Sequence, residues 1–172
     1  IHSMSHEKDY EDMEKDCAKN FRNALEKTGV DQVIYLGGII NEEILSKHLA
    51  SRKTVEEELA KGRYNFTSLR SGIIIGSGSA SFEIIRDLVE KLPIMVAPKW
   101  LKTKCQPISI SDVLQFLTGV LKNPITYNQN FDIGGPKVLS YKQMLLEFAG
   151  ERKLWRKIFV VPVLTPKLSS YW

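Results

Sequence analysis

The sequence predicts an α/β fold with a mainly parallel sheet, on three observations. Segments with helical apolar spacing alternate with short, continuous apolar runs. Most of those runs close on glycine or proline, as strands entering a loop do. The runs are rich in β-branched residues and apolar throughout, which is how a strand buried on both faces reads.

Each element follows from local pattern. Tyr10, Met13, Cys17, Phe21, Ala24 and Leu25 repeat at helical spacing, with Asp9 able to cap the start and Gly29 the end. Gln32-Val33-Ile34-Tyr35-Leu36 is a buried strand closed by Gly37-Gly38. Leu49, Val55 and Leu59 lie among charges from Ser46 to Lys61, giving a second helix ended by Gly62. Phe66 to Ile75 is a second buried strand, kinked at Gly72. Ser81 to Lys91 is helical and stops at Pro93, and Ile94-Met95-Val96 is extended. Smaller units follow. Ile108 to Ile110 is strand-like, and Val113 to Leu121 is a helix with Ser111 or Asp112 as its cap. Phe131-Asp132-Ile133 is a strand ended by Gly134-Gly135-Pro136. Ser140-Tyr141-Lys142-Gln143 is a capping box opening another helix, and Lys157 to Val161 is a last extended run.

Composition removes several function classes. With 172 residues, 43% apolar and 26% charged, the chain suits one soluble domain and not a disordered segment. The longest apolar runs span a few residues, against about 20 for a membrane span. No signal peptide is visible. The net charge of +4 is uneven, −2 over residues 1–28 and +5 over 137–172. The basic residues of the tail are scattered and lack an aromatic platform, so nucleic acid is not an expected partner. Cys17 and Cys105 form no CxxC and read as reduced thiols, pointing to the cytoplasm. His2 and His6 have no third ligand at a usual spacing, so no metal site is expected. The chain opens on Ile1-His2-Ser3-Met4 and closes on an apolar-aromatic stretch, so we expect a segment of a longer protein.

In parallel sheets ligands sit beyond the carboxyl ends of the strands. The residues there are Ser3-Met4, Gly37-Gly38, Ser71 to Ser81 and Gly134-Gly135. Gly76-Ser77-Gly78-Ser79-Ala80-Ser81 joins a strand to a helix and suits a phosphate cradle. Its other reading is a turn with a serine cap. It is no Walker loop, and Ser81 stands where a dinucleotide fingerprint has its third glycine. No Gly-x-Ser-x-Gly elbow is present. His48 and Arg52 are four apart on one helical face. They suit an acid/base group beside a phosphate- or ribose-holding cation, or two plain surface residues. Trp100, Trp155 and Trp172 read as packing residues.

Seven ordered stretches together resemble an atypical short-chain dehydrogenase/reductase, of the NmrA-like and YbjT-like kind often named nucleoside-diphosphate-sugar epimerases. They are Ile1-His2-Ser3-Met4, Tyr35-Leu36-Gly37-Gly38, His48 to Arg52, Leu69 to Gly76, Gln106 to Val113, Phe131 to Pro136 and Val163 to Ser170. The resemblance runs nearly end to end. It implies a partial Rossmann-like fold, doubly wound and mainly parallel, with helices on both faces and a small C-terminal substrate-side subdomain. Residues 1–92 would complete the sheet and 93–172 form the substrate side.

The resemblance also implies a cofactor, NAD or NADP, in the full-length protein. The Gly-rich opening that grips its pyrophosphate has no counterpart here, so this segment alone is expected to bind none. His48 and Arg52 stand where the family has the tyrosine and lysine of Tyr-x-x-x-Lys. Imidazole can donate a proton at neutral pH, and a guanidinium can hold ribose or phosphate without giving up its own. Ser3, Met4, Gly37, Gly38, Ser71, Gly72, Ile73 and Ile74 match the cofactor side. Ser79, Phe82, Trp100 and Gln106 match the substrate side. The substrate is expected to be a small molecule. Two further readings stay open. One is a non-catalytic NAD(P)-binding regulator. The other is an assembly unit, a homodimer that hides an exposed sheet edge.

Overall fold

The computed structural model describes residues 10–40 and 47–161. The elements in chain order are α1 (Tyr10–Thr28), β1 (Gln32–Gly38), α2 (Lys47–Leu59), β2 (Asn65–Ser71), β3 (Ile74–Ile75), α3 (Ala80–Lys91) and β4 (Ile94–Pro98). A 3-10 turn at Lys99–Lys102 leads to β5 (Lys104–Cys105), β6 (Ile108–Ser109) and α4 (Ile110–Val120). A second 3-10 turn, Pro124–Thr126, precedes β7 (Gln129–Ile133), β8 (Leu139–Ser140), α5 (Tyr141–Glu151) and β9 (Lys157–Val161). The architecture is α/β and mainly parallel, as expected. The chain gathers into two compact units, one from residues 1–71 and 111–133, the other from 72–110 and 134–172.

The first unit is a three-stranded parallel sheet in the order β1-β2-β7. Strand pleating sends Val33, Tyr35, Phe66 and Ser68 to one face. There Val33, Tyr35 and Phe66 form a core with Ala18 of α1 and Val55 and Leu59 of α2. Thr67 points the opposite way and donates from Oγ1 to the Thr126 carbonyl at 2.9 Å. The Gln32 side chain joins the end of α4, donating to the Val120 carbonyl and accepting from the Lys122 amide at 2.9 and 2.7 Å. The register aligns Gly38, Ser71 and Ile133 at the carboxyl edge. Ligand sites of such sheets form at that edge.

The second unit holds three two-stranded pairs. β3-β6 and β4-β9 are parallel and β5-β8 is antiparallel. Its core packs Ile85 and Val89 of α3 against Met95, Ala97, Leu101, Met144, Leu145, Ala149 and Ile158. Arg156 closes the carboxyl end of α3, donating Nε to the Val89 carbonyl at 2.5 Å and Nη2 to the Glu90 carbonyl at 3.2 Å. A cation there satisfies free carbonyls and opposes the helix dipole.

Local expectations mostly hold. Gly29 ends α1 with φ +67°, a left-handed value that glycine adopts without steric cost. The Ser140–Gln143 capping box forms in full. Two details differ. The strand expected from Phe66 to Ile75 breaks after Ser71 and resumes at Ile74, so Gly72 interrupts it rather than kinks it. Helix α4 begins at Ile110, which puts Ser111 and Asp112 in its first turn instead of at its cap.

Candidate functional site

Four of the sequence-derived site residues meet in the first unit. Gly37 and Gly38 end β1 and are buried, and Ser71 ends β2 beside Gly38 in register. The Ser71 carbonyl accepts from the Ile39 amide at 3.2 Å, which continues the parallel pairing one residue past β1. Arg52 reaches this edge from α2. Its Nη1 lies 3.2 Å from the point where a Cβ on Gly38 would sit, and Leu49 Cδ2 is equally near. The glycine leaves room for the cation, and Arg52 itself is exposed. His48 lies on α2 one turn before Arg52. A guanidinium at the carboxyl edge of a parallel sheet can hold a phosphate or a pair of ribose hydroxyls.

The remaining candidates fall elsewhere. Ser3 and Met4 lie outside the described residues, as do His2, His6 and the stretch from Val163 to Ser170. Gly72, Ile73 and Ile74 open the second unit. The Ile73 carbonyl accepts from the Ile108 amide at 2.9 Å, and Ile74 pairs with Ile108. Ser79 is the N-cap of α3, accepting from the Phe82 amide. Phe82 packs edge-on against Phe148, ring centres 5.5 Å apart, and Trp100 does the same with Tyr141 at 5.5 Å. Gln106 donates from Nε2 to the Gly135 carbonyl at 2.5 Å. These four substrate-side candidates thus each have a structural neighbour of their own.

Sequence reading missed a buried polar network under the site. Glu14, Glu56 and Glu58 are buried, together with Ser51 and Ser68. Glu56 accepts from Ser68 Oγ at 2.8 Å and from Arg70 Nη2 and Nε at 2.5 and 3.1 Å. Glu58 pairs with Arg22 at 2.5 Å and Lys61 at 2.7 Å. Ser51 donates to Glu14, joining α2 to α1. Charged groups taken out of water need partners: Glu56 and Glu58 meet arginine and lysine cations, and Glu14 accepts from the Ser51 hydroxyl. A usable signal was present. Glu56 continues the four-residue spacing of His48 and Arg52, and the polar Ser68 and Arg70 share one face of a strand that also carries apolar Phe66 and Leu69.

Tyr35 is a phenol beside Gly37 and Arg52. Burial first, then the Glu56 and Glu14 carboxylates, push its pKa up to about 12, against the pull of Arg52. Its hydroxyl donates to the Arg52 carbonyl at 3.3 Å. A phenol so held stays protonated at neutral pH and is a poor proton donor there. The hydrogen bond to Glu56, and after it the charge of Asp132, raise the pKa of Arg70, which remains a fixed cation. A cavity of about 320 Å³ lies between α1, α2 and β1, lined by Glu14, Phe21, Tyr35 and apolar neighbours. None of the sequence-derived site residues lines it. Among the described residues no cluster suits a metal ion, and no helix is long and apolar enough to cross a membrane.

No protein-family model matches this sequence, and no curated protein matches it. Solved structures do. A short-chain dehydrogenase/reductase superfamily protein from Agrobacterium tumefaciens with bound NAD superimposes with a TM-score of 0.70 at 12% identity, over 94% of this chain and 66% of that one. The dTDP-4-dehydrorhamnose reductase of Bacillus anthracis, in complex with NADP, gives 0.72 at 12% identity over 92% and 64%. The UDP-glucose 4-epimerase of Thermus thermophilus, in complex with NAD, gives 0.63 at 16% identity over 90% and 62%. This chain therefore has the fold of the short-chain dehydrogenase/reductase proteins, and it spans just under two thirds of the length of these examples.

Proposed function

We propose that this chain is part of an NAD(P)-dependent oxidoreductase or nucleoside-diphosphate-sugar epimerase of the atypical short-chain class. The observation that carries the reading is the meeting of Arg52 with Gly38 at the carboxyl edge of the sheet. Among the described residues, β1 and β2 of that sheet fall in 1–92 and β7 in 93–172, the part that would form the substrate side.

The residues present suit one half of a dinucleotide. Arg52 would hold the ribose hydroxyls or a phosphate, as a forked donor does. Gly37 and Gly38 would line the cofactor side through their backbone, the space of their missing side chains being taken by Tyr35 at Gly37 and by Arg52 and Leu49 at Gly38. Ser71, Gly72, Ile73 and Ile74 would line the nicotinamide side. His48 would hold or release the proton that accompanies reduction or oxidation of a substrate hydroxyl or carbonyl. Hydride transfer is the chemistry that a nicotinamide supplies when bound. Ser79, Phe82, Trp100 and Gln106 would contact a small-molecule substrate. The isolated segment is expected to bind the cofactor weakly or not at all, since its sequence carries no Gly-rich turn of the kind that grips the pyrophosphate.

A second reading follows from Arg52 and His48 themselves. A guanidinium does not lower a neighbouring phenol's pKa for turnover when no phenol stands four residues before it. That favours a regulator that binds NAD(P) without consuming it. The full-length protein, supplied with NADPH and a panel of carbonyl compounds and nucleotide sugars, separates the two. Turnover that His48→Phe abolishes supports the enzyme. Binding without any turnover supports the regulator, and full turnover by His48→Phe removes His48 from the chemistry.

A further inference from the structure

We propose that Glu56 is a positioning residue, which locks α2 to the sheet and so holds Arg52 over the carboxyl edge of β1. The inference rests on the cofactor reading above for its functional half.

Positions 48, 52 and 56 follow one another at four-residue intervals and so share a face of α2. Glu56 is buried, 5% exposed, whereas Arg52 is exposed. Among the described residues, the donors to the Glu56 carboxylate come from β2: Ser68 Oγ at 2.8 Å, and Arg70 by Nη2 at 2.5 Å and Nε at 3.1 Å. The two anchors stand two residues apart on one face of that strand. The carboxylate therefore fixes both the height and the rotation of α2 relative to β2. An apolar contact allows small slides, whereas a forked arginine–carboxylate pair has one good geometry.

The lock is close to the site. Glu56 Oε2 is 3.6 Å from where a Cβ on Gly37 would sit, and one turn earlier Arg52 stands at 3.2 Å from the same point on Gly38. The Arg52 backbone is held separately, its carbonyl accepting from Tyr35 at 3.3 Å. Helix α2 carries no apolar stripe strong enough to set its rotation by itself, since Ser51, Glu56 and Glu58 share its buried positions with Val55 and Leu59. Rotation is instead set by polar partners, and Glu56 is the one that reaches β2.

The test compares wild type with Glu56→Gln in the full-length protein, below the unfolding transition of both. The variant keeps the shape and removes the charge. Hydrogen exchange of the α2 amides from 50 to 54 is expected to speed up about tenfold, with α1 unchanged. NADPH is expected to bind about tenfold more weakly, while 5′-AMP, which lacks the nicotinamide ribose that Arg52 would hold, binds as before. In the Arg52→Ala background the same change should cost NADPH nothing further. Unaltered α2 exchange, equal losses for both ligands, or fully additive losses would each overturn the proposal. Should Glu56→Gln fail to fold, Ser68→Ala removes one anchor, keeps the Arg70 pair and gives the same readouts. If wild type binds no NAD(P)H, the cofactor reading fails, and hydrogen exchange alone decides whether Glu56 fixes α2.

Discussion

Arg52 Nη1 stands 3.2 Å from the point where a Cβ on Gly38 would lie, so the cation fills the space the glycine leaves at the end of β1. An alanine at 38 presses on Arg52 and on Leu49 Cδ2, both ends of flexible side chains. Gly38→Ala should therefore cost at most about 1 kcal/mol of unfolding free energy, read by denaturant titration, since both neighbours can move. Its larger effect should be on NAD(P)H affinity of the full-length protein, a several-fold loss read by fluorescence titration. Unchanged affinity would separate Arg52 from the ligand.

Gly135 and Gly119 make a paired comparison. A Cβ on Gly135 would meet the Pro107 carbonyl oxygen at 2.3 Å, and that backbone cannot step aside. Gly135→Ala should lower stability by ~1–3 kcal/mol through overpacking. Gly119 lies within α4 with nothing near its missing Cβ. There Gly119→Ala should raise stability by ~0.5–1 kcal/mol, because alanine loses less backbone entropy in a helix. Urea unfolding at constant slope reads both signs.

Alkaline stability should respond to Tyr35. Burial lifts its pKa from an ordinary 10.0 to about 12. The unfolded chain thus releases this proton first as pH rises. The stabilising contribution is whole below pH 10.0 and is lost between there and about 12. Tyr64 and Tyr141 shift in the same direction, also chiefly through burial. Tyr35→Phe should make the fall in unfolding free energy over that window shallower. An unchanged slope would mean that Tyr35 meets solvent.

Glu58 acts at the acid side. The hydrogen bond from Lys61, and after it the charge of Arg22, hold its carboxyl below the ordinary 4.5. Here the unfolded chain takes up the proton first as pH falls. The contribution is present above about 4.5 and disappears as pH drops through the lower folded value. Glu58→Gln should leave a shallower acid limb in a pH series of denaturant midpoints, with Arg22 no longer paired to a charge.

The fold was legible because its signals are local. Gly29, the Ser140–Gln143 box and the Gly37-Gly38 close of β1 each act within a few residues. Placing His48 and Arg52 on one helix needed only their spacing. What the sequence hid depends on distant partners. Glu56 and Glu58 sit in a charged run that reads as a solvated face, yet their partners Arg70 and Arg22 come from other elements and carry them inside. Ser79 shows the opposite case. A residue assigned to substrate contact caps α3, a role its place before Phe82 already allowed. The break at Gly72 was hidden too, because an apolar run does not reveal where its pairing changes from β7 to β6.

Calorimetric titration of NADPH and of NADH into the full-length protein, with wild type and Arg52→Ala side by side, bears on the account most directly. Saturable binding of one of them at micromolar concentration, weakened about tenfold by the substitution, is the expected result. Absence of binding by wild type, or identical binding by both proteins, would contradict a nucleotide site built around Arg52.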